Sequence, residues 1–165
     1  MKKISLVTVF ACSALMLLFS NPMSTLASDL AESSTLTQTS QNDMDELYNL
    51  INQKRLEAGL SALAYTHELS DTANIRVQEV KTSFLHTRLD GRPFSTALTE
   101  TGLSFKLCAE LLAFNCITAE EVVNVWLNSP FHSDAILSPK YTNIGISKCF
   151  NDNGQTFWTV HLIEQ

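Results

Sequence analysis

The sequence predicts an α+β domain, and three observations carry that reading. Apolar residues recur at helical spacing in the first half of the chain, at Leu47, Leu50 and Ile51 and again at Leu69, Ala73, Val77 and Val80. A third stripe, Val122, Val123 and Trp126, follows a Thr118–Glu121 capping box. The chain then closes on two β-rich runs, 141–150 and 156–163, joined across Asn153-Gly154, a strong hairpin signal. Helices first and a hairpin last describe helices packed on a small, mainly antiparallel sheet.

Each element has its own signals. Asp43 and Glu46 have capping-box spacing ahead of the first stripe, and Gly59 supplies the stop. A short extended piece over 60–65 leads to a second helix over about 66–83. Asp90-Gly91 makes a turn, and Pro93 opens a third short helix that ends at Gly102. Residues 103–113 hold a strand and a loop. The helix after Thr118 stops at Ser129-Pro130, and a single turn runs over 132–137 before Pro139.

The 165 residues suit one domain, and 45% hydrophobic content suffices for an ordinary core. The N-terminus reads differently from the rest. Lys2 and Lys3 precede an almost wholly apolar run over 4–19, and Thr25-Leu26-Ala27 offers a small-residue cleavage site. Residues 1–27 are therefore expected to be a secretory signal peptide, leaving no stable membrane insertion once it is cleaved. Residues 28–42, rich in Ser, Thr and Gln, read as a flexible tether, and 43–165 as the folded domain.

The whole chain carries a formal charge of −6; loss of Lys2 and Lys3 with the leader makes it −8. No basic surplus is available to neutralise phosphates, so nucleic acid is excluded as an expected partner. Cys108, Cys116 and Cys149 remain after Cys12 leaves with the leader, an odd number for an oxidising compartment. One disulfide and one free thiol are expected. Cys116 with Cys149 is the favoured pair, each adjoining a predicted element end, and Cys108 with Cys116 is the alternative.

His86 and His132 both fall in breaks between predicted elements, where a rigid scaffold displays functional residues. Glu110 sits in an apolar run, Ala109 to Ala113, and is expected to be buried with a partner or exposed at an edge. Two imidazoles and a carboxylate form a suitable ligand set for a zinc-like divalent cation. Spacing alone nevertheless favours ordinary hydrogen bonds for such residues. His67 reads as a surface residue, His161 as a hydrogen-bonded sheet histidine, and Trp126 and Trp158 as core aromatics. Neither a G-x-S-x-G elbow nor a P-loop nor a dinucleotide fingerprint is present.

Four strings in order then resemble the CAP superfamily, the SCP-like domains of cysteine-rich secretory, antigen 5 and pathogenesis-related proteins, in its secreted bacterial form. They are HTRLDGR over 86–92, AELLA over 109–113, AEEVVNVWLNSPFHSDAIL over 119–137 and YTNIGI over 141–146. The likeness spans 47–163. It implies an α-β-α sandwich with a shallow cleft lined by His86, His132 and Glu110, a trio that could hold zinc or another divalent cation. Ser129 stands where the family places a second cleft glutamate, which leaves the acid set incomplete. Phe131 replaces a glycine, Ser133 an arginine and Leu111 an asparagine, which implies altered ligand preference on a retained fold. The resemblance implies a secreted, non-enzymatic binding module for an extracellular protein, lipid or envelope component. The alternative is a metal-assisted, peptidase-like hydrolase with Glu110 as general base beside His86 and His132.

Overall fold

The computed structural model describes residues 22–165, so most of the expected signal peptide lies outside the described residues. The chain divides after Ser34 into two compact units, and the sheet and the site belong to the second, Thr35 to Gln165. Among the described residues nine elements follow in order: α1 (Pro22–Glu57), β1 (Ala64–Tyr65), α2 (His67–Thr82), α3 (Ser95–Glu100), β2 (Leu107–Phe114), α4 (Ala119–Leu127), α5 (Pro130–Ile136), β3 (Asn143–Phe150) and β4 (Thr156–Glu164). The strands form one sheet in the order β1-β3-β4-β2. Among these strands the short β1·β3 pair is parallel and the other two pairs are antiparallel.

The expected tether, 28–42, is helical instead, and α1 starts well before the Asp43 capping box. No Gly or Pro interrupts the chain between Met23 and Ala58, so nothing breaks the helix. Side-chain bonds one turn apart support it, Gln38 to Asn42 and Gln41 to Asp45. The helix ends where expected. Gly59 adopts φ 75°, and the Leu60 N–H returns to the Arg55 carbonyl at 2.9 Å, a left-handed stop that favours glycine.

Strand alternation sorts the core into two faces. On one face Leu111, Ala113, Ile144, Ile146, Trp158, Val160 and Leu162 pack with Leu47 and Ile51 of α1 and with Val122, Val123 and Trp126 of α4. The Thr118–Glu121 capping box forms as expected at the start of α4. Arg55 of α1 is buried and donates to the carbonyls of Ser61, Ile136, Ser138 and Tyr141, fastening α1 to the end of α5. On the other face α2 lies directly on β3. A Cβ at Gly145 would come within 2.3 Å of the Leu69 backbone, so only glycine permits this approach.

The sheet thus lies between α1, α4 and α5 on one side and α2 and α3 on the other, an α-β-α sandwich. The same alternation rules out the expected disulfide. Cys149 packs with Val77, Val80, Leu112 and Phe157 under α2, whereas Cys116 belongs to the core beneath α1 and α4. With the sheet between them, Cys116 and Cys149 cannot bridge, and Cys108, Cys116 and Cys149 are all free thiols. Burial pushes all three thiols above their ordinary range, and the free cysteines are therefore poor nucleophiles.

Candidate functional site

The site grows out of the α2 face of the sheet. β2 and β4 pair so that Glu110 lies opposite His161, and both side chains turn under α2. There the buried stripe of α2 includes two polar members, Thr72 and Arg76, among Leu69, Ala73, Val77 and Val80. Arg76 meets Glu110 in a two-pronged pair, Nε to Oε2 at 2.7 Å and Nη2 to Oε1 at 3.2 Å. His161 Nε2 stands 3.2 Å from Oε2, and His86 Nδ1 stands 3.0 Å from Oε1.

Glu110 is thereby saturated. A carboxylate offers about four lone-pair sites, and four N–H groups occupy them here. Its side chain is fully buried, and burial alone would push the carboxyl up. Hydrogen bonds from His161, His86 and Arg76 outweigh that effect and hold it at about 2. An anion so anchored is a poor acceptor for a proton near neutrality.

His86 is displayed by a braced loop. Phe94 N–H bonds the His86 carbonyl, Thr87 bridges to Pro93, and Gly91 at φ 85° makes the tight turn. Ion pairs hold this loop to α2 and α3: Arg88 joins Glu79 and Glu100, and Arg92 joins Asp90 and Glu100. Arg76 reaches Glu79 as well, so the network runs unbroken from the loop to Glu110. Burial opposes the charge on Glu79, but Arg88 and Arg76 overcome it and keep its carboxyl below the usual range. With Nδ1 directed at Glu110, the His86 ring turns Nε2 away from the carboxylate, and the side chain is 56% exposed.

His132 lies in α5, its ring 6.4 Å from Trp126. Burial, and then the charge of nearby His86, lowers its affinity for a proton. Its Nδ1 is enclosed without a hydrogen-bond partner. Phe131, its neighbour in the chain, is 88% exposed. Ser129 caps α5 through its backbone only. The structure therefore joins His86 to Glu110 and sets His132 within electrostatic reach of His86.

The implied metal trio does not fit. Among the described residues no three His, Cys, Asp or Glu side chains are grouped to hold a metal ion. Glu110 has its lone pairs taken, and the Arg76 guanidinium beside it would repel a cation. Arg76, Thr72 and His161 are the site residues that motif spacing missed. A charged residue on the buried stripe of α2 was the available signal, because it demands a buried partner.

The profile of the cysteine-rich secretory protein (CAP) family matches residues 48–162. The chain belongs to the CAP family. An uncharacterized protein of Bacillus subtilis, YkwD, is 33% identical over 121 residues, covering 72% of this chain and 46% of the relative. The chain thus spans about half the length of that relative. An uncharacterized protein of Borreliella burgdorferi is 32% identical over 64% of this chain and 68% of its own. Among solved structures, an outer surface protein from Borrelia burgdorferi superposes with TM-score 0.71 at 26% identity, over 76% of this chain and 95% of the other. An extracellular SCP-domain protein from Bacillus anthracis gives TM-score 0.71 at 23% identity, over 78% and 42%. The latter likeness shows the CAP fold alone.

Proposed function

We propose that this CAP domain is an extracellular binding module, with Glu110 serving as the internal anchor of its cleft. The saturated carboxylate carries the reading. A general base needs a free lone pair and a pKa near the working pH, and Glu110 has neither. The exposed groups around the site suit recognition. The His86 ring is half exposed, Leu85 and Leu89 on its loop are exposed, and so is Phe131, the chain neighbour of His132. Side chains of this kind meet a protein, lipid or envelope ligand through apolar contact and one or two directed hydrogen bonds.

An extracellular place is supported by the leader-like residues 1–27 and by the likeness to an outer surface protein of Borrelia burgdorferi. Among the described residues no helix is long and apolar enough to cross a membrane. The direct test is a hydrolysis panel of peptides, esters and peptidoglycan, run on the full chain beside Glu110→Gln and His86→Ala. The proposal expects no turnover that either substitution abolishes. Turnover lost in Glu110→Gln and kept in a distant variant, Glu68→Gln, would make the protein a hydrolase.

A further inference from the structure

His161 is surrounded by groups whose protons can be counted. Its Nε2 faces Glu110 Oε2 at 3.2 Å, and its Nδ1 faces Thr72 Oγ1 at 2.7 Å. The same Thr72 hydroxyl lies 2.7 Å from the Leu69 carbonyl oxygen. Three close contacts must be filled from one hydroxyl proton and the protons on the ring.

Neither neutral tautomer fills them. With its proton on Nε2, the ring serves Glu110 and requires the Thr72 proton at Nδ1. That leaves the Thr72 and Leu69 oxygens facing each other bare at 2.7 Å. With its proton on Nδ1, the ring turns an Nε2 lone pair against an ionised carboxylate. Both arrangements place two acceptors against each other inside the protein, where an unmade bond costs most. A doubly protonated ring satisfies all three: Nε2–H donates to Glu110, Nδ1–H donates to Thr72, and Thr72 donates to Leu69.

The surrounding charges leave room for that proton. The connected ion pairs contain four carboxylates (Asp90, Glu100, Glu79, Glu110) against three guanidiniums (Arg92, Arg88, Arg76), and two imidazoles, His86 and His161, touch Glu110. Of the two imidazoles, only His161 has a close acceptor at each ring nitrogen among the hydrogen bonds described. We infer that His161 is held as a buried imidazolium, so that Glu110 is the internal counter-ion of two cations, Arg76 and His161, and not a metal ligand.

The groups that face the ring pull in both directions. Burial, the largest influence, lowers the ring's affinity for a second proton, Glu110 raises it and the Arg76 charge lowers it again, so the balance of burial and charge alone is downward and the hydrogen-bond geometry carries the inference. Thr72 from α2, Phe94 beside α3 and Gly145 from β3 add no charge. His86 reaches the other oxygen of the shared carboxylate. Burial removes water from the ring, and Glu110 and Thr72 stand as close acceptors where that water would have been. The inference stands whether the cleft binds or catalyses.

The test is nitrogen-15 NMR of the histidine rings in the full chain at pH 7, with His161 assigned by the signals missing from His161→Gln. Protons on both His161 nitrogens are expected. Thr72→Val removes the Nδ1–H acceptor and is expected to return the ring to a single proton, on Nε2. A single proton in the unaltered chain would overturn the inference, as would a ring left doubly protonated by Thr72→Val. Zinc titration of the chelator-treated chain gives an independent reading that needs no folded variant of His161. No heat of binding that depends on Glu110 is expected, and zinc binding abolished by Glu110→Gln would overturn the counter-ion assignment.

Discussion

The two faces of the sheet are built from alternate residues of the same strands, yet they hold together by different physics. The face under α1 and α4 is apolar across the centre of β2, β3 and β4, and its polar ties lie at the margins, Arg55 on the carbonyls around α5 and Lys148 on β3. That lysine pairs with Asp43 and lies 4.4 Å from the centre of the Trp158 ring. The face under α2 is apolar at its ends, around Val77 and around Leu69, and ionic at its centre. Apolar burial is additive and indifferent to direction. The ionic centre is neither, because each partner is needed to justify burying the others. A fold can rest on the first face while the second fixes His86 and Glu110 in one arrangement.

The sharpest contrast comes from breaking each face once. Arg76→Met leaves Glu110 and Glu79 without their shared cation, and unfolding measurements at pH 7 should show a loss of about 3–5 kcal/mol. Adding Glu110→Gln should recover part of that loss. Leu111→Ala on the opposite face should cost about 2–5 kcal/mol, and no carboxylate substitution on the α2 face should rescue it.

Acid should separate the faces further. Glu110 is depressed in the folded protein, so its contribution is complete above the unfolded value near 4.5. It is lost as the pH falls toward about 2. Stability measured from pH 6 to pH 2 should therefore fall more steeply for the native chain than for Glu110→Gln.

Smaller effects test the remaining joints. Gly145→Ala should push α2 off β3 and cost about 1–3 kcal/mol. Thr118→Ala removes the α4 cap and should cost about 1 kcal/mol. A reducing agent should leave the melting temperature unchanged, since Cys108, Cys116 and Cys149 are free. A drop on reduction would restore the case for a disulfide.

The apolar face was readable in the sequence because period is a local property. The stripes at Leu47 and Ile51 and at Val122, Val123 and Trp126 lie in the core, and the Asn153-Gly154 turn joins β3 to β4. His86, His132 and Glu110 were found by motif, and the first and third do meet. The ionic face left one local signal, Arg76 on the apolar stripe of α2, but its partners were not readable, because Arg76, Glu110 and His161 come together only across three elements. The same limit explains the cysteines. An odd count and a compartment suggested a pair, while only strand alternation shows which side of the sheet Cys149 faces. The helix over 28–42 obeys another rule: polar composition predicted a tether, but without Gly or Pro nothing stops a helix there.

The central claim is that Glu110 is an anchored anion and not a base. Carbon-13 NMR of its carboxyl group, followed through an acid titration of the full chain, tests this directly. The account predicts a midpoint near pH 2, with the carboxylate ionised throughout the neutral range. A midpoint at or above the ordinary glutamate value would contradict it, and would return Glu110 to the role of general base.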